Sequence, residues 1–459
     1  MGAIITLSLL AILLLYLGLY KAKKAILPVA LLGLALAAGF SLNLWSSVAT
    51  PLYNGMILFD HFALVFSLLM IGLTALILLF TKGYFDVVGE HIAEYFALIL
   101  FSLTGAVIIV SFYNLSMLFI GIEIMSVALY ILAGIRKSDY ASNEASLKYF
   151  LMGAFSTGFL LFGIALVYGA SGSFGLAEIQ SYVIENRFNI SPLFYTGIIL
   201  LIIGLGFKIG MAPFHFWVPD VYEGSPILIT TFMSTVVKVA AVAAFLRLFW
   251  FCFEPLTDFW SPVLIILSIV TLFIGNITAL MQQSFKRMLT YSSISHVGYM
   301  LFAILSMGGE SANAILIYAG AYSLSTIVAF GGLIAVKRSN GSEQFEAFNG
   351  IGKKNPFLSF VISIAMLSLA GIPLTAGFIG KFMMFSAALN NYHVLLVLVA
   401  VVNAAIGIYY YFRVIVAMYF RTADRETISL SLNYKVVLTI ATILTIILGL
   451  YPAIVTNIV

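Results

Sequence analysis

The sequence predicts an all-α polytopic membrane protein of about fourteen transmembrane helices, built on two inverted five-helix repeats. Three observations carry that reading. The chain has 459 residues, 63% of them hydrophobic and 9% charged, with a mean hydropathy of +1.12. Apolar runs long enough to cross a bilayer recur from one end to the other. Two of those runs carry a Gly/Pro interruption beside a lysine. A soluble domain carries about a quarter charged residues, so little of this chain is soluble mass. The formal net charge of +4 does not point to nucleic acid, because the basic residues are few and sit where topology needs them. The single cysteine, Cys252, excludes an internal disulfide and any iron–sulfur or Cys-rich zinc site in this chain. No Cys–His cluster that would hold a metal and no Gly-rich phosphate loop is present. Met1–Tyr20 is read as the first span and not as a signal peptide. No basic residue precedes its apolar core, and it has no clear small-residue cleavage site.

In order, the spans are expected near 2–20, 27–46, 57–81, 92–112, 114–135 and 143–168, then 194–213 (broken) and 226–250. They continue near 261–280, 288–306, 312–336, 357–388 (long and broken), 394–420 and 436–457. The loops test this order through the excess of Lys and Arg on the cytoplasmic side. One alternate set of loops holds Lys21, Lys23, Lys24, Lys82, Arg136, Lys137, Lys286, Arg287, Lys337, Arg338, Lys353, Lys354, Arg421, Arg425 and Lys435. The other set holds Arg187 alone. A missed or extra helix would scramble that separation. Both termini are therefore expected outside, which in a bacterium is the periplasmic side of the plasma membrane.

The chain is organised around Gly204–Pro226, an apolar helix with Lys208 inside it that breaks near Gly210 and Pro213. It then resumes through His215 and Trp217 to a polar turn at Asp220, Tyr222 and Glu223. A lysine in an apolar span must be solvated or paired, and the carbonyls freed by a proline need partners other than lipid. Both conditions point to a helix facing protein or internal water, and so to an ion path. The run LSLAGIPLTAGFIGKF repeats the pattern, with Gly371, Pro373, Gly377 and Gly380 before Lys381. Broken helices in corresponding positions of two halves mark an inverted-repeat transporter. The broken spans, seventh and twelfth, lie five apart, so units of helices 4–8 and 9–13 enter the membrane from opposite sides. The expected organisation is a three-helix segment over 1–91, a first repeat over 92–250, a second over 251–420 and a last helix over 421–459.

Within the spans remain Glu123, Lys148, Lys208, Lys238, Arg247, Lys381 and Arg413. Arg247 and Arg413 lie near helix ends, where snorkelling accounts for them as well as function does. Lys148, a turn or so inside its helix, could snorkel in the same way. Glu123, Lys208, Lys238 and Lys381 are too deep for it, and a structural ion pair is their bland alternative. His215 beside the break and His296 among the hydroxyls of TYSSISHVGYM are placed to join a relay. The many Phe, Tyr and Met residues read as packing and interfacial belts.

The run KIGMAPFHFWVPDVYEGSP, with FIGIEIMSVALYILAG, EASLKYFLMGAFSTGFLLFGIALVYG, FKRMLTYSSISHVGYML and LAGIPLTAGFIGKF, resembles the antiporter-like membrane subunits of respiratory complex I. That complex is the proton-translocating NADH:quinone oxidoreductase, and the likeness is greatest to its N-type (subunit 2) branch. The resemblance covers most of the chain. Leu228 and Leu374 depart from it, standing where the family often has a second proline after Pro226 and Pro373.

The resemblance implies a polar axis for proton transfer. Glu123 would be the fifth-helix glutamate, Lys208 its partner on the seventh, and Lys148 the sixth-helix lysine. Lys238 would be the central lysine and Lys381 the twelfth-helix lysine at the exit. It also implies that NADH, FMN, iron–sulfur clusters and quinone belong to other subunits, with no cofactor and no redox centre in this chain. The neighbours it implies are the M-type antiporter-like subunit and the small K, J and A subunits within the bilayer. Two alternatives stay open: a subunit of a Mrp-type Na⁺/H⁺ antiporter, and a ferredoxin- or hydrogenase-linked relative of complex I. A non-conducting scaffold is disfavoured, having little reason to keep several buried lysines.

Overall fold

A computed structural model describes residues 1–81, 91–306, 309–390, 394–423 and 427–454. Lys82, Arg425 and His393 lie outside the described residues. Among the described residues thirteen helices are long and apolar enough to cross a membrane, and two shorter ones, Pro356–Ala370 and Ala376–Leu389, supply the twelfth span in two pieces. The order of spans expected from the sequence is the order observed, and the only strand-like pairings among the described residues are isolated bridges.

Local chemistry sets the ends of the spans. Asp60 caps the third span (His61–Leu79) by accepting from the Ala63 amide at 2.9 Å. Asn114, Asp139 and Ser191 do the same for the fifth (Leu115–Ala133), sixth (Tyr140–Ser171) and seventh (Pro192–Ile209). Leu176–Glu185, a short amphipathic helix between the sixth and seventh spans, was not expected from hydropathy, because it is too short and too polar to cross a bilayer.

The inverted repeat is visible in the backbone. At the start of the fifth span Leu115 N–H donates to Phe174 O (2.8 Å) and Leu176 N–H to Tyr113 O (3.1 Å). At the start of the tenth (Phe285–Ser306) Phe285 N–H donates to Glu343 O (2.9 Å) and Phe345 N–H to Gln283 O (3.2 Å). The same reciprocal clasp therefore stands at the start of two spans that lie five apart. The breaks match as well. Gly210 (φ +76°) and Gly371 (φ +83°) end the first pieces of the seventh and twelfth spans in the left-handed region. Met211 N–H then reaches back to Gly206 O (2.8 Å), and Ile372 N–H to Leu367 O (3.0 Å). Leu374, one of the two departures from the family pattern, sits at φ +72°. A proline ring, fixed near −65°, could not take that turn.

Burial is concentrated at the centre. The eighth span, Ile227–Cys252, and the eleventh, over Ser311–Asn340, are enclosed by protein, and the tenth is nearly so. The first, second, ninth, thirteenth and fourteenth present much of their surface outward. The eighth span has a π-helical turn at Met233–Val237, directly before Lys238. Such turns leave backbone off the regular ladder and recur at functional sites.

The two arginines do not snorkel. Arg247, 7% exposed, pairs with Asp60 and lies 5.0 Å from the Phe62 ring centre. Arg413, on the thirteenth span (Val394–Phe420), donates to Leu280 O and Gln282 O at the end of the ninth (Thr257–Leu280) and covers Phe345. Carbonyls left free at a helix end favour a cation there. Removing one partner of a buried pair strands the other, so Arg247→Met should cost about 2 kcal/mol or more. The Arg247→Met/Asp60→Asn double variant should lose less than the two singles together, as read from the thermal unfolding of the purified assembly.

Candidate functional site

The ionisable residues singled out from the sequence fall into two groups. Lys208, Lys238, Lys381 and His296 are buried inside the bundle, at 4%, 2%, 6% and 3% exposure. Lys148 is not with them. Its ammonium pairs with Glu144 (2.8 Å) and Asp220 (2.7 Å), with all three side chains close to half exposed. The sixth span turns this group toward the outside of the bundle, since Leu147 and Leu151 beside Lys148 are exposed too. His215 is buried in the break and stacked on Phe216 (ring centres 4.6 Å apart), and its Nδ1 has no hydrogen-bond partner. No direct contact joins it to the buried lysines among the described residues.

The expected Glu123–Lys208 ion pair is not formed. No salt bridge within 4.0 Å links them, and the Lys208 ammonium donates instead to Ser126 Oγ at 2.8 Å. Ser126 lies one turn along the fifth span from Glu123, so both face the same lysine. Glu123 Oε1 is buried without a hydrogen bond, as is the hydroxyl of Tyr130, whose ring centre lies 5.9 Å from the Lys208 ammonium.

Lys238 is held in the same way, by hydroxyl and carbonyl and not by carboxylate. It donates to Ser293 O (2.9 Å) and Ser293 Oγ (3.0 Å) on the tenth span. A separate chain of hydroxyls starts at the neighbouring residue of the same span. Ser292 Oγ shares a short hydrogen bond with Tyr411 Oη. His296 Nε2 meets the same Tyr411 hydroxyl at 3.1 Å, and His296 Nδ1 meets Tyr318 Oη at 2.6 Å. A branch runs from Tyr410 Oη to Asn276 (2.9 Å) and on to Asn403 (3.2 Å). Lys381 donates to Leu369 O (3.0 Å) and Ala370 O (2.9 Å), the carbonyls released by the second break, and lies 5.0 Å from the Tyr299 ring centre. The broken helix thus supplies the acceptors that let an ammonium sit in an apolar interior.

Four segments result: Ser126–Lys208, then Lys238–Ser293, then Ser292 through Tyr411 and His296 to Tyr318, then Lys381. Buried tyrosine hydroxyls stand at their junctions, Tyr130 near Ser126 at the first, Tyr322 between Lys238 and His296, and Tyr299 beside Lys381. A buried polar group of this kind is ordinarily met by water. Among the described residues no cluster of His, Cys, Asp and Glu has the makings of a metal site.

Sequence reasoning placed Lys208, Lys238, Lys381 and His296 and noticed the hydroxyls around His296. It missed Tyr318 and Tyr411, taken with the other tyrosines as belt residues, although both are buried at the centre. Only their depth in the folded bundle separates them from the interfacial tyrosines. Ser126 carried no signal beyond its place three residues after Glu123.

Comparison with known proteins gives a consistent answer. Residues 113–407 match the family described as NADH:quinone oxidoreductase/Mrp antiporter, transmembrane. The chain is 42% identical to NADH-quinone oxidoreductase subunit N of Cytophaga hutchinsonii, covering 98% of each, and 38% identical to that of Flavobacterium psychrophilum, covering 99% of each. Among solved structures, a chain of respiratory complex I from Thermus thermophilus superposes with a TM-score of 0.84 at 32% identity, covering 99% of this chain and 98% of that one. A chain of the Mrp complex from Dietzia superposes with a TM-score of 0.88 at 18% identity, over 100% of this chain and 95% of that one, a likeness of fold.

Proposed function

The chain belongs to the NADH:quinone oxidoreductase/Mrp antiporter transmembrane family, in its subunit N branch, and from that premise we propose that it translocates protons in the membrane arm of an NADH–quinone oxidoreductase. The observation that carries the proposal is the line of buried lysines held by hydroxyls and carbonyls alone. A lysine locked to a carboxylate holds its proton, whereas one held by Ser126 or Ser293 is free to load and release it.

Glu123 is the switch in this reading. When the Lys208 ammonium turns from Ser126 to Glu123 it is kept charged. When it turns back, its proton is free to pass through water toward Lys238. From Lys238 the hydroxyls of Ser293, Ser292 and Tyr411 lead to His296 and Tyr318, and Lys381 receives the proton at the far end. Quinone reduction elsewhere in the assembly supplies the work, so the electron carriers sit in other subunits and no redox centre is assigned here. Lys148, paired with Glu144 and Asp220 on an outward face, is assigned to contact with a neighbouring subunit. M-type and K-, J- and A-type subunits are the proposed neighbours in the membrane arm. The excess of Lys and Arg in one set of loops supports placing both termini on the periplasmic side of a bacterial plasma membrane.

A Mrp-type role would use the same buried line without a redox partner. Two measurements separate the readings. A tagged chain purified in mild detergent should bring with it subunits that oxidise NADH; recovery of membrane subunits alone, with Na⁺-driven proton exchange, supports the Mrp role. In the assembled enzyme, Lys208→Ala should lower proton uptake per NADH oxidised by roughly tenfold or more, as for loss of a positioned proton carrier. Wild-type coupling in that variant would refute Lys208 as a carrier.

A further inference from the structure

Two buried asparagines lie off the proposed proton path. Asn276 on the ninth span and Asn403 on the thirteenth meet through their carboxamides across the helix interface. Asn403 shares one face of the thirteenth span with Tyr410, at i+7.

The hydrogen bonds of this branch have only one possible direction. A carboxamide donates through its nitrogen and accepts through its oxygen. Asn403 has the Val399 carbonyl on one side (3.0 Å), so its nitrogen faces that carbonyl and its oxygen faces Asn276. The Asn276 nitrogen spends its two hydrogens on Leu272 O (2.9 Å) and on the Asn403 oxygen (3.2 Å). The Asn276 oxygen is left for Tyr410, whose hydroxyl must donate to it at 2.9 Å. Turning either carboxamide over would set buried oxygen against oxygen.

The Tyr410 proton is therefore pinned away from His296, and only lone pairs face the neighbouring hydroxyls of Tyr411, Ser292 and Ser295. Ser295 already gives its proton to Ser292 O (2.8 Å). That leaves Tyr411 and Ser292, which share a hydrogen bond with each other. If Ser292 donates to Tyr411, the Tyr411 proton turns to Tyr410. If Ser292 donates to Tyr410, the Tyr411 proton turns to Ser292. Either way it is spent, and the Tyr411 oxygen is left to accept from His296.

We propose that Asn276 and Asn403, acting through Tyr410, hold neutral His296 with its hydrogen on Nε2, toward Tyr411, and its lone pair on Nδ1, toward Tyr318. So held, the imidazole is a stop that passes one proton at a time. A neutral imidazole has one donor and one acceptor nitrogen. A proton passing toward Lys381 enters at Nε2 from Tyr411 while another leaves Nδ1 for Tyr318, which packs against Gly380 beside Lys381. The passage leaves the ring in the pinned form, with an N–H and no lone pair facing Tyr411. A second proton cannot follow until the chain turns back. The asparagines are positioning residues, since neither touches a carrier. The stop rests on the reading that His296 lies on the proton path.

The test is infrared difference spectroscopy of the whole enzyme with isotopically labelled histidine, the His296→Gln enzyme being subtracted so that this one ring is read. The wild type should show the Nε2–H form. Tyr410→Phe keeps the ring and removes only the pinned hydroxyl, and it should shift the signal toward the Nδ1–H form, as should Asn276→Leu. Asn276→Asp, neutral when buried, keeps an oxygen for Tyr410 and a hydrogen for Leu272 O, and should restore the wild-type signal. Proton uptake per NADH oxidised should fall in Tyr410→Phe at unchanged NADH oxidation, because protons slip past the stop. An Nδ1–H signal in the wild type overturns the proposal. So does a signal that neither Tyr410→Phe nor Asn276→Leu moves, or full coupling in Tyr410→Phe. If His296→Gln itself pumps at the wild-type ratio, the path reading fails and the stop with it, and the spectra still show whether the asparagines set the ring.

Discussion

Lys238→Met is expected to abolish proton uptake by the assembled enzyme while the chain still folds and assembles. Lys238 is 2% exposed, and its ammonium is held by Ser293 alone, through the carbonyl and the hydroxyl of that residue. Methionine matches the length of the lysine stem and fills the same space without a charge. Burying an ammonium is unfavourable in itself, so the apolar replacement is neutral or stabilising for the fold. What disappears is the ammonium proposed to receive and pass a proton on the eighth span. Loss of a positioned proton carrier lowers transfer by about 10² or more, which in a coupled pump reads as no uptake. Proteoliposome uptake with parallel NADH oxidation checks it, and uptake at the wild-type ratio would remove Lys238 from the path.

Gly377→Val is expected to stop the chain from accumulating in the assembly. A Cβ at Gly377 would lie 1.8 Å from Ser368 O and 2.7 Å from Ser368 C, both backbone atoms across the second break. The Gly377 amide also donates to Ser368 Oγ at 3.2 Å, and Ser368 Oγ meets Ser325 Oγ at 2.8 Å. No rotamer change relieves such a clash, so the two pieces of the twelfth span would have to part. Overpacking of this kind costs roughly 3 kcal/mol or more where backbone must move. The carbonyls holding Lys381 would move with it. Gly39→Ala is the matched control, since a Cβ there meets nothing within 4 Å. Quantifying the chain in purified membranes by immunoblot checks both, and normal levels of Gly377→Val would show that the break is less tightly closed than its geometry implies.

The spans were legible because a bilayer imposes length and apolarity on every helix that crosses it, and charge excess in alternate loops fixes their order. Both breaks were legible because glycine and proline in mid-span free backbone groups and a lysine there needs solvation, and lipid supplies partners for neither. What the sequence left open or misplaced has one origin. Arg247 and Arg413 stay open from the sequence, because near a helix end snorkelling accounts for them as well as function does, and the fold supplies Asp60 and the end of the ninth span as their partners. Lys286 read as a loop charge because the tenth span starts three residues earlier than its apolar run. Lys148 stays open from the sequence between the axis and snorkelling, and the fold pairs its half-exposed ammonium with Glu144 and Asp220.

By itself the sequence determined a bundle of fourteen crossings, two inverted units, two fractured helices and a set of lysines too deep for water. Those follow from solvation, which acts residue by residue along the chain. The tertiary structure alone decided which groups meet: Ser126 in place of Glu123 at Lys208, Tyr411 and Tyr318 around His296, and Glu223 joining Lys286 to Arg287. Hydrogen-bond partners from distant helices are chosen by packing over a few ångströms, and hydropathy along the chain carries no record of that choice.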